Sequence, residues 1–371
     1  MGYFDDRLLI GAREFIDTHL SATAEHPSPA IALAYHGDGD GCCAAYFLHS
    51  YINRPVMFYW VPTPDFDFVK LEEHMVTHRP ALAIFLDMPV CNRPDMIEKI
   101  SSRSATLIFD HHQVGGRDYW KGRRNVLYIN PVLHQKGQAF PTVLFGWELL
   151  THRTSFDKEV LFMGLFTETW LDHVPLSHDY DPAEVAGLKE IAKRIHANFL
   201  IQDMSTTHYA LDFLFEASRQ GSVRGEGSLN SRQYQILDNV YHLVQNEKSW
   251  LTRGLSAELR RLINPKFILK RIESKMRLSG LVASELRWKY PHLIIGIWQR
   301  WKGRYLCELR RGKGCSVNLA DLVERIKGET PLLTGGGHPM AAAFTAEGDD
   351  FFKALNRLRH YISRKHLPES G

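Results

Sequence analysis

Shortages narrow this chain before any motif is read. Five cysteines occur in 371 residues, and none forms a CxxC pair. Two of them, Cys42 and Cys43, are adjacent, which is no disulfide framework. Such usage points to a reducing compartment and away from a thiolate zinc site. No run of about 20 apolar residues occurs, so no membrane-spanning helix is expected. The opening MGYFDDRLLIGAREF carries acids early and lacks a continuous apolar segment, so a secretory signal is not expected. The expected location is the cytoplasm. Charge of one sign is missing too. A net charge of +3 is almost neutral at this size and selects neither for nor against nucleic acid. There is no internal repeat and no low-complexity tail.

What is present is an alternation. Short apolar runs at 30–34, 56–60, 82–86 and 106–109 read as strands. An amphipathic pattern over 4–20 and apolar stretches at 44–50 and 96–101 read as helices. Continuous apolar strands alternating with helices imply a parallel sheet covered on both faces. Residues 142–170 and 183–217 are helical in pattern. Residues 220–230 are rich in Gly and Ser, as in a linker or a surface loop, and another helix is expected from 231 to 247. Strands at 293–299 and 304–309 and a helix at 319–327 then suggest a smaller α/β domain. The expected division is 1–215, a helical linker region over 216–254, and 255–371.

Polar groups collect where the strands end. His36, Asp38 and Asp40 follow the first run, Asp87 the third, and Asp110, His111 and His112 the fourth. Ligands of parallel sheets bind beyond the carboxyl ends of strands. Alternate side chains of an extended His36–Asp40 segment would point the same way. Each cluster has a plainer reading: a Gly/Asp turn, a helix-capping Asp87, a polar turn at 110–112. Together they are costly, because carboxylates held close repel unless cations sit among them. Oxygen and nitrogen donors without cysteine suit Mn²⁺, Mg²⁺ or Fe²⁺ rather than structural zinc.

A second sharp feature is Gly335-Gly336-Gly337-His338-Pro339. Three glycines let backbone N–H groups turn toward an anion, and Pro339 is expected to open a short helix over 340–343. A plain glycine loop is the alternative. Six basic residues lie between Arg300 and Lys313, with Trp298 and Trp301 nearby. For most of them a solvated hairpin is as good a reading as a nucleic-acid patch, and the interleaved tryptophans would suit base stacking, though core packing is the stronger reading of each.

Taken together, these residues resemble the DHH phosphoesterase superfamily, in the branch with a GGGH-bearing C-terminal domain. His36-Gly-Asp38-Gly-Asp40-Gly resembles its first motif, Asp87 its second and Asp110-His111-His112 its third. Asn130-Pro131 resembles the Asn-Pro that commonly follows. Gly164-Leu-Phe-Thr167-Glu168-Thr169 resembles the fourth motif, with Glu where Asp is usual and Asp172 as a nearby substitute. Glu308-Leu309-Arg310 resembles a Ser-x-Arg substrate contact, with Glu for Ser. The likeness covers about 30–170 and 290–345 and leaves 175–285 unmatched.

The resemblance implies a metal-binding catalytic domain and a substrate-binding domain, with the active site in the cleft between them. It implies two Mn²⁺ ions, or Mg²⁺ or another divalent metal. One would be held by His36, Asp38 and Asp87, the other by Asp40, Asp87, His111 and Glu168. Asp110 and His112 would be catalytic, and Arg310 with Gly335, Gly336, Gly337 and His338 would hold the substrate. The implied activity is phosphodiester hydrolysis of short oligonucleotides or dinucleotides by a two-metal mechanism. The alternatives are a single-strand-specific exonuclease of the same superfamily and a non-catalytic nucleotide-binding regulator. A homodimer is left open.

Overall fold

A computed structural model describes residues 2–22, 30–61, 64–112, 118–135, 137–201, 208–262, 266–301, 303–330 and 332–365. The chain divides into two compact units, Met1–Tyr241 and His242–Gly371. The division falls within the helix Arg232–Leu259.

The first unit is built on five parallel strands: β1 (Ile31–His36), β2 (Met57–Val61), β3 (Leu82–Leu86), β4 (Ala105–Phe109) and β5 (Val126–Ile129). Their order is β2-β1-β3-β4-β5. β3 and β4 are buried throughout, which explains why they read as unbroken apolar runs. From β1 the chain steps outward to β2, then returns to place β3 on the other side of β1. Connections leaving β1 and β3 therefore run in opposite directions, and a crevice opens at their carboxyl ends.

Side chains alternate between the faces of this sheet. On one face Ala32, Ala34, Ala83, Phe85 and Ile108 pack under Phe68, Leu71, Met75, Met96 and Ile100 from the helices Pro64–His78 and Pro94–Ser101. Phe109 takes the opposite face and stacks on Phe145 of the helix Thr142–Leu149, ring centroids 4.1 Å apart. Helix Asp6–Ala22 packs against β3, β4 and β5. The helical stretch expected over 142–170 is two helices, because Thr154 and Asp157 form a capping box that starts Ser155–Thr167 afresh. Helix Pro64–His78 and strand β5 had no clear pattern in the sequence.

The second unit carries a mixed sheet of β6 (Phe267–Arg271), β7 (Ile294–Trp301), β8 (Arg304–Arg311), β9 (Thr334–His338) and β10 (Ala341–Ala346), ordered β6-β7-β8-β10-β9. Cys307 and Leu309 face the core made with the helices Leu319–Gly328 and Gly348–Lys365. Glu308 and Arg310, one residue out of phase, face the other side. The short helix expected over 340–343 is instead β10. Its residues Ala342 and Phe344 are needed in that core, and Ala341 pairs with both Arg310 and His338. The glycine run is strand β9 rather than a loop. Gly337 has φ 150°, and a Cβ there would lie 2.4 Å from the Ala341 carbonyl oxygen. Among the described residues, no helix is long and apolar enough to cross a membrane.

Phe109 connects this core to the site, since Asp110 follows it directly. Phe109→Ala is expected to cost about 3–5 kcal/mol of unfolding free energy in urea. An unchanged midpoint would show that the stacked Phe109–Phe145 layer does not carry the sheet.

Candidate metal centre

His36 ends β1 and the chain turns at once into helix Gly39–Ile52. Asp38 caps that helix, its Oδ1 accepting from the Gly41 N–H at 3.0 Å. Asp40 therefore lies in the first helical turn, and His36, Asp38 and Asp40 do not share one extended segment. Tight winding explains Gly41, where a Cβ would stand 2.3 Å from the His36 carbonyl oxygen. Asp40 is fully buried, and its two oxygens accept the N–H groups of Thr142 and Val143 at 2.8 Å each.

Asp87 follows β3 in the left-handed region, φ 59°, with its N–H donating to the Phe109 carbonyl at 2.9 Å. Its Oδ2 is 3.4 Å from His36 Nδ1, and its Oδ1 is 3.1 Å from His111 Nε2. His36 Nδ1 also meets Asp38 Oδ2 at 3.2 Å, and His111 Nε2 lies 3.9 Å from Asp40 Oδ2. Thr142 Oγ1 donates to Asp87 Oδ1 at 3.3 Å. Thr142 is a contact the sequence offered no signal for.

Two groups with metal-ligand spacing result: His36, Asp38 and Asp87, and Asp87, His111 and His112. Within each, one ligand atom per residue lies within 4.8 Å of the others. Asp87 belongs to both. His112 stands with the second group through Asp110, whose Oδ1 is 2.6 Å from His112 Nδ1. That is at the short end even for a charge-assisted bond. Asp110 is fixed in turn by its N–H on the Ile129 carbonyl, 3.1 Å away. Asn130 Nδ2 donates to the His112 carbonyl at 3.0 Å.

The electrostatics of so many buried ionisable groups are lopsided. Burial pushes the Asp40 carboxyl well up, and Asp87 and Glu168 push it further. Burial and the Asp38 charge raise Glu168 to about 7. Burial opposes charge on His36, but Asp38 and Asp87 overcome it and raise its pKa to about 10. Asp87 is driven down against its burial by His111 and His36. Two carboxylate oxygens within 4.8 Å, as in Asp38 and Asp87, repel by about 3–4 kcal/mol at an effective dielectric near 20. In the chain itself, protons on imidazoles and carboxyls are what offset this. Divalent cations would do the same, and the hard oxygen and imidazole donors fit Mn²⁺ or Mg²⁺.

By sequence, no protein-family model and no curated protein matches the chain. Solved structures do. RecJ from Thermus thermophilus in complex with Mn²⁺ aligns over 96% of this chain with TM-score 0.67 and 16% identity. This chain spans only 55% of that protein's length. An exonuclease RecJ bound to manganese aligns with TM-score 0.64 and 17% identity, covering 96% of this chain and 95% of its own. The DHH domain of a member of a ribosomal-protein family gives 0.66 and 16%, covering 96% and 90%. The chain has the fold of these RecJ and DHH-domain structures.

In this DHH fold the fourth-motif position is informative. Helix Ser155–Thr167 stops at its C-cap, Glu168, and Thr169 turns left-handed at φ 59°. A helix running on past Glu168 would put Asp172, four residues later, on the same face. Instead Asp172 is exposed in a separate turn, Leu171–His173. Glu168 interacts with Asp38, His111, Asp87 and His112. The unmatched middle of the sequence also reaches the site. Phe199, on helix Pro182–Ile201, sets its ring edge-on to His36 at 5.7 Å. The helical pattern over 183–217 does not single Phe199 out.

The residues expected to bind substrate lie in the second unit. Arg310 Nε donates to Ser284 Oγ at 3.1 Å, and its Nη1 meets Glu308 Oε2 at 3.2 Å. Glu308 is buried and also takes Arg277 Nη2 at 3.0 Å. Gly335, Gly336 and Gly337 line up along β9, while the side chain of His338 lies outside the described residues.

Glu168 makes the site's charge burden measurable. A carboxyl ionising near 4.5 when unfolded and about 7 when folded contributes stability fully below 4.5 and loses it as pH rises through 7. In chelator, the Tm advantage of Glu168→Gln over the parent should therefore grow from pH 5 to pH 8. Adding Mn²⁺ at pH 8 should raise the parent's Tm more than the variant's. A Tm difference that does not move with pH would contradict the placement of half-buried Glu168 beside the Asp38 and Asp87 carboxylates.

Proposed function

We propose that this protein is a metal-dependent phosphodiesterase that hydrolyses short oligonucleotides or dinucleotides with two Mn²⁺ ions. The observation that carries the reading is Asp87, shared by two ligand groups at the point where the strand order reverses. His36, Asp38 and Asp87 would hold one ion. Asp87, His111, Asp40 and Glu168 would hold the other. The amide bonds to Asp40 leave each of its oxygens a second lone pair for a cation. Bound there, divalent ions supply Lewis-acid neutralisation of phosphate charge and a lowered pKa for water.

The protein's own groups do the positioning. Asp110 accepts from Nδ1 of His112 and fixes its tautomer, so that His112 presents Nε2 to a phosphate oxygen. Burial disfavours the His112 cation, but Asp110 outweighs that and raises its pKa, so the ring can carry a proton to the phosphate. Asn130 holds the His112 backbone in place. Arg310 would take a further phosphate of the substrate, its guanidinium preset by Ser284 and Glu308. Gly335 to His338 would give that part of the substrate close backbone approach.

Chelation should abolish release of nucleotides from a labelled trinucleotide, and Mn²⁺ should restore it. Asp87→Asn should cost at least about 100-fold in kcat and reduce bound Mn²⁺ from two ions toward none. Full turnover by metal-stripped protein would defeat the reading. Arg310→Ala should raise KM more than it lowers kcat. A pure kcat effect would place Arg310 in the chemistry instead.

A further inference from the structure

We propose that the face of the second unit formed by helix Ser279–Lys289 binds a single-stranded oligonucleotide, with Trp288 as its base-stacking platform. The proposal deepens the phosphodiesterase reading, and rests on it only for what happens to the bound strand. Trp288 is 64% exposed, a large aromatic surface to leave in water. It does not stand among neutral neighbours. The Arg287 guanidinium lies 5.1 Å and the Lys313 ammonium 5.6 Å from its ring centroid. An aromatic face among cations is the chemistry that holds bases and phosphates together without reading sequence.

The helix ties this platform to Arg310. Ser284 receives the Arg310 Nε–H, and Arg287 and Trp288 follow one turn later, about 5–6 Å along the axis. Arg287 is close enough to Arg310 that, after burial, the Arg310 charge is what lowers its pKa. Glu308 is one carboxylate set between two guanidiniums, Arg277 and Arg310. Glu285, on the same helix, is taken by Lys289 at 3.0 Å and Lys248 at 3.5 Å. The surface is therefore positive from Arg310 to Lys313 and carries its aromatic ring in between. A phosphate on Arg310 would lead a strand toward Arg287. There a base could take the Trp288 face while Lys313, exposed on the turn after β8, moves to a phosphate.

The test uses the full chain in EDTA, so that bound strands are not cleaved. Fluorescence anisotropy is read with labelled oligo(dT) of 2, 4 and 8 nucleotides. Affinity should rise with length, and Trp288→Ala should lose about tenfold or more on the 8-mer. Trp288→Phe should stay within about threefold of the parent, and Trp250→Ala, which removes a different exposed tryptophan, should change nothing. Lys313→Gln should flatten the plot of log affinity against log salt by about 0.7. Equal affinity for 2 and 8 nucleotides, or a Trp288→Ala variant that binds the 8-mer like the parent, overturns the proposal. Hydrolysis in Mn²⁺ separates the two readings. Binding with no cleavage sinks the enzyme but not the platform. Cleavage with binding indifferent to Trp288 does the reverse.

Discussion

Asp87 holds two imidazoles at once, His36 at 3.4 Å and His111 at 3.1 Å, and much of the first unit is arranged so that it can. It sits at a left-handed φ of 59°, a conformation that costs a non-glycine residue of order 1–3 kcal/mol. Aspartate is among the residues that tolerate it. The strain is sustained because β3 is buried between β1 and β4 and because the Asp87 N–H extends the ladder to Phe109. A strand order that reverses beside β1 opens the crevice. The helices at 39–52 and 142–149 bring Asp38 and Asp40 in from one side. The turn after β4 brings His111 from the other.

Much of that was legible in the sequence. β1, β3 and β4 are buried on both faces, so nothing interrupts their apolar runs, and the polar residues that follow stand out. β5 is only Val126–Ile129, too short for a periodic signal, and the helix Pro64–His78 mixes acidic, basic and aromatic residues without a clean stripe. The site was legible as residue types but not as geometry. His36, Asp38 and Asp40 look like an alternating strand, yet the capping bond from Gly41 to Asp38 starts a helix between them. Thr142 and Phe199 were invisible. They reach the site from helices far along the chain, and only tertiary packing could reveal them.

The second unit teaches a different lesson. A glycine run followed by proline suggests a loop and a helix start, and here it is an edge strand and a turn. Core residues Ala342 and Phe344 decide the matter, because β10 must lie between β8 and β9 to bury them. Strand alternation then sends Glu308 and Arg310 to the opposite face. There Ser284 and Arg277 meet them, from a stretch of sequence that resembled nothing. Buried Glu308 draws two guanidiniums together there, Arg277 at 3.0 Å and Arg310 at 3.2 Å.

Hydrolysis as proposed requires two cations that share the Asp87 carboxylate. Crystals grown with Mn²⁺ and measured at its absorption edge give the most direct answer. Two anomalous peaks are predicted on either side of Asp87, one against His36 and Asp38, the other against His111. A map with no peak within coordinating distance of Asp87 would contradict it.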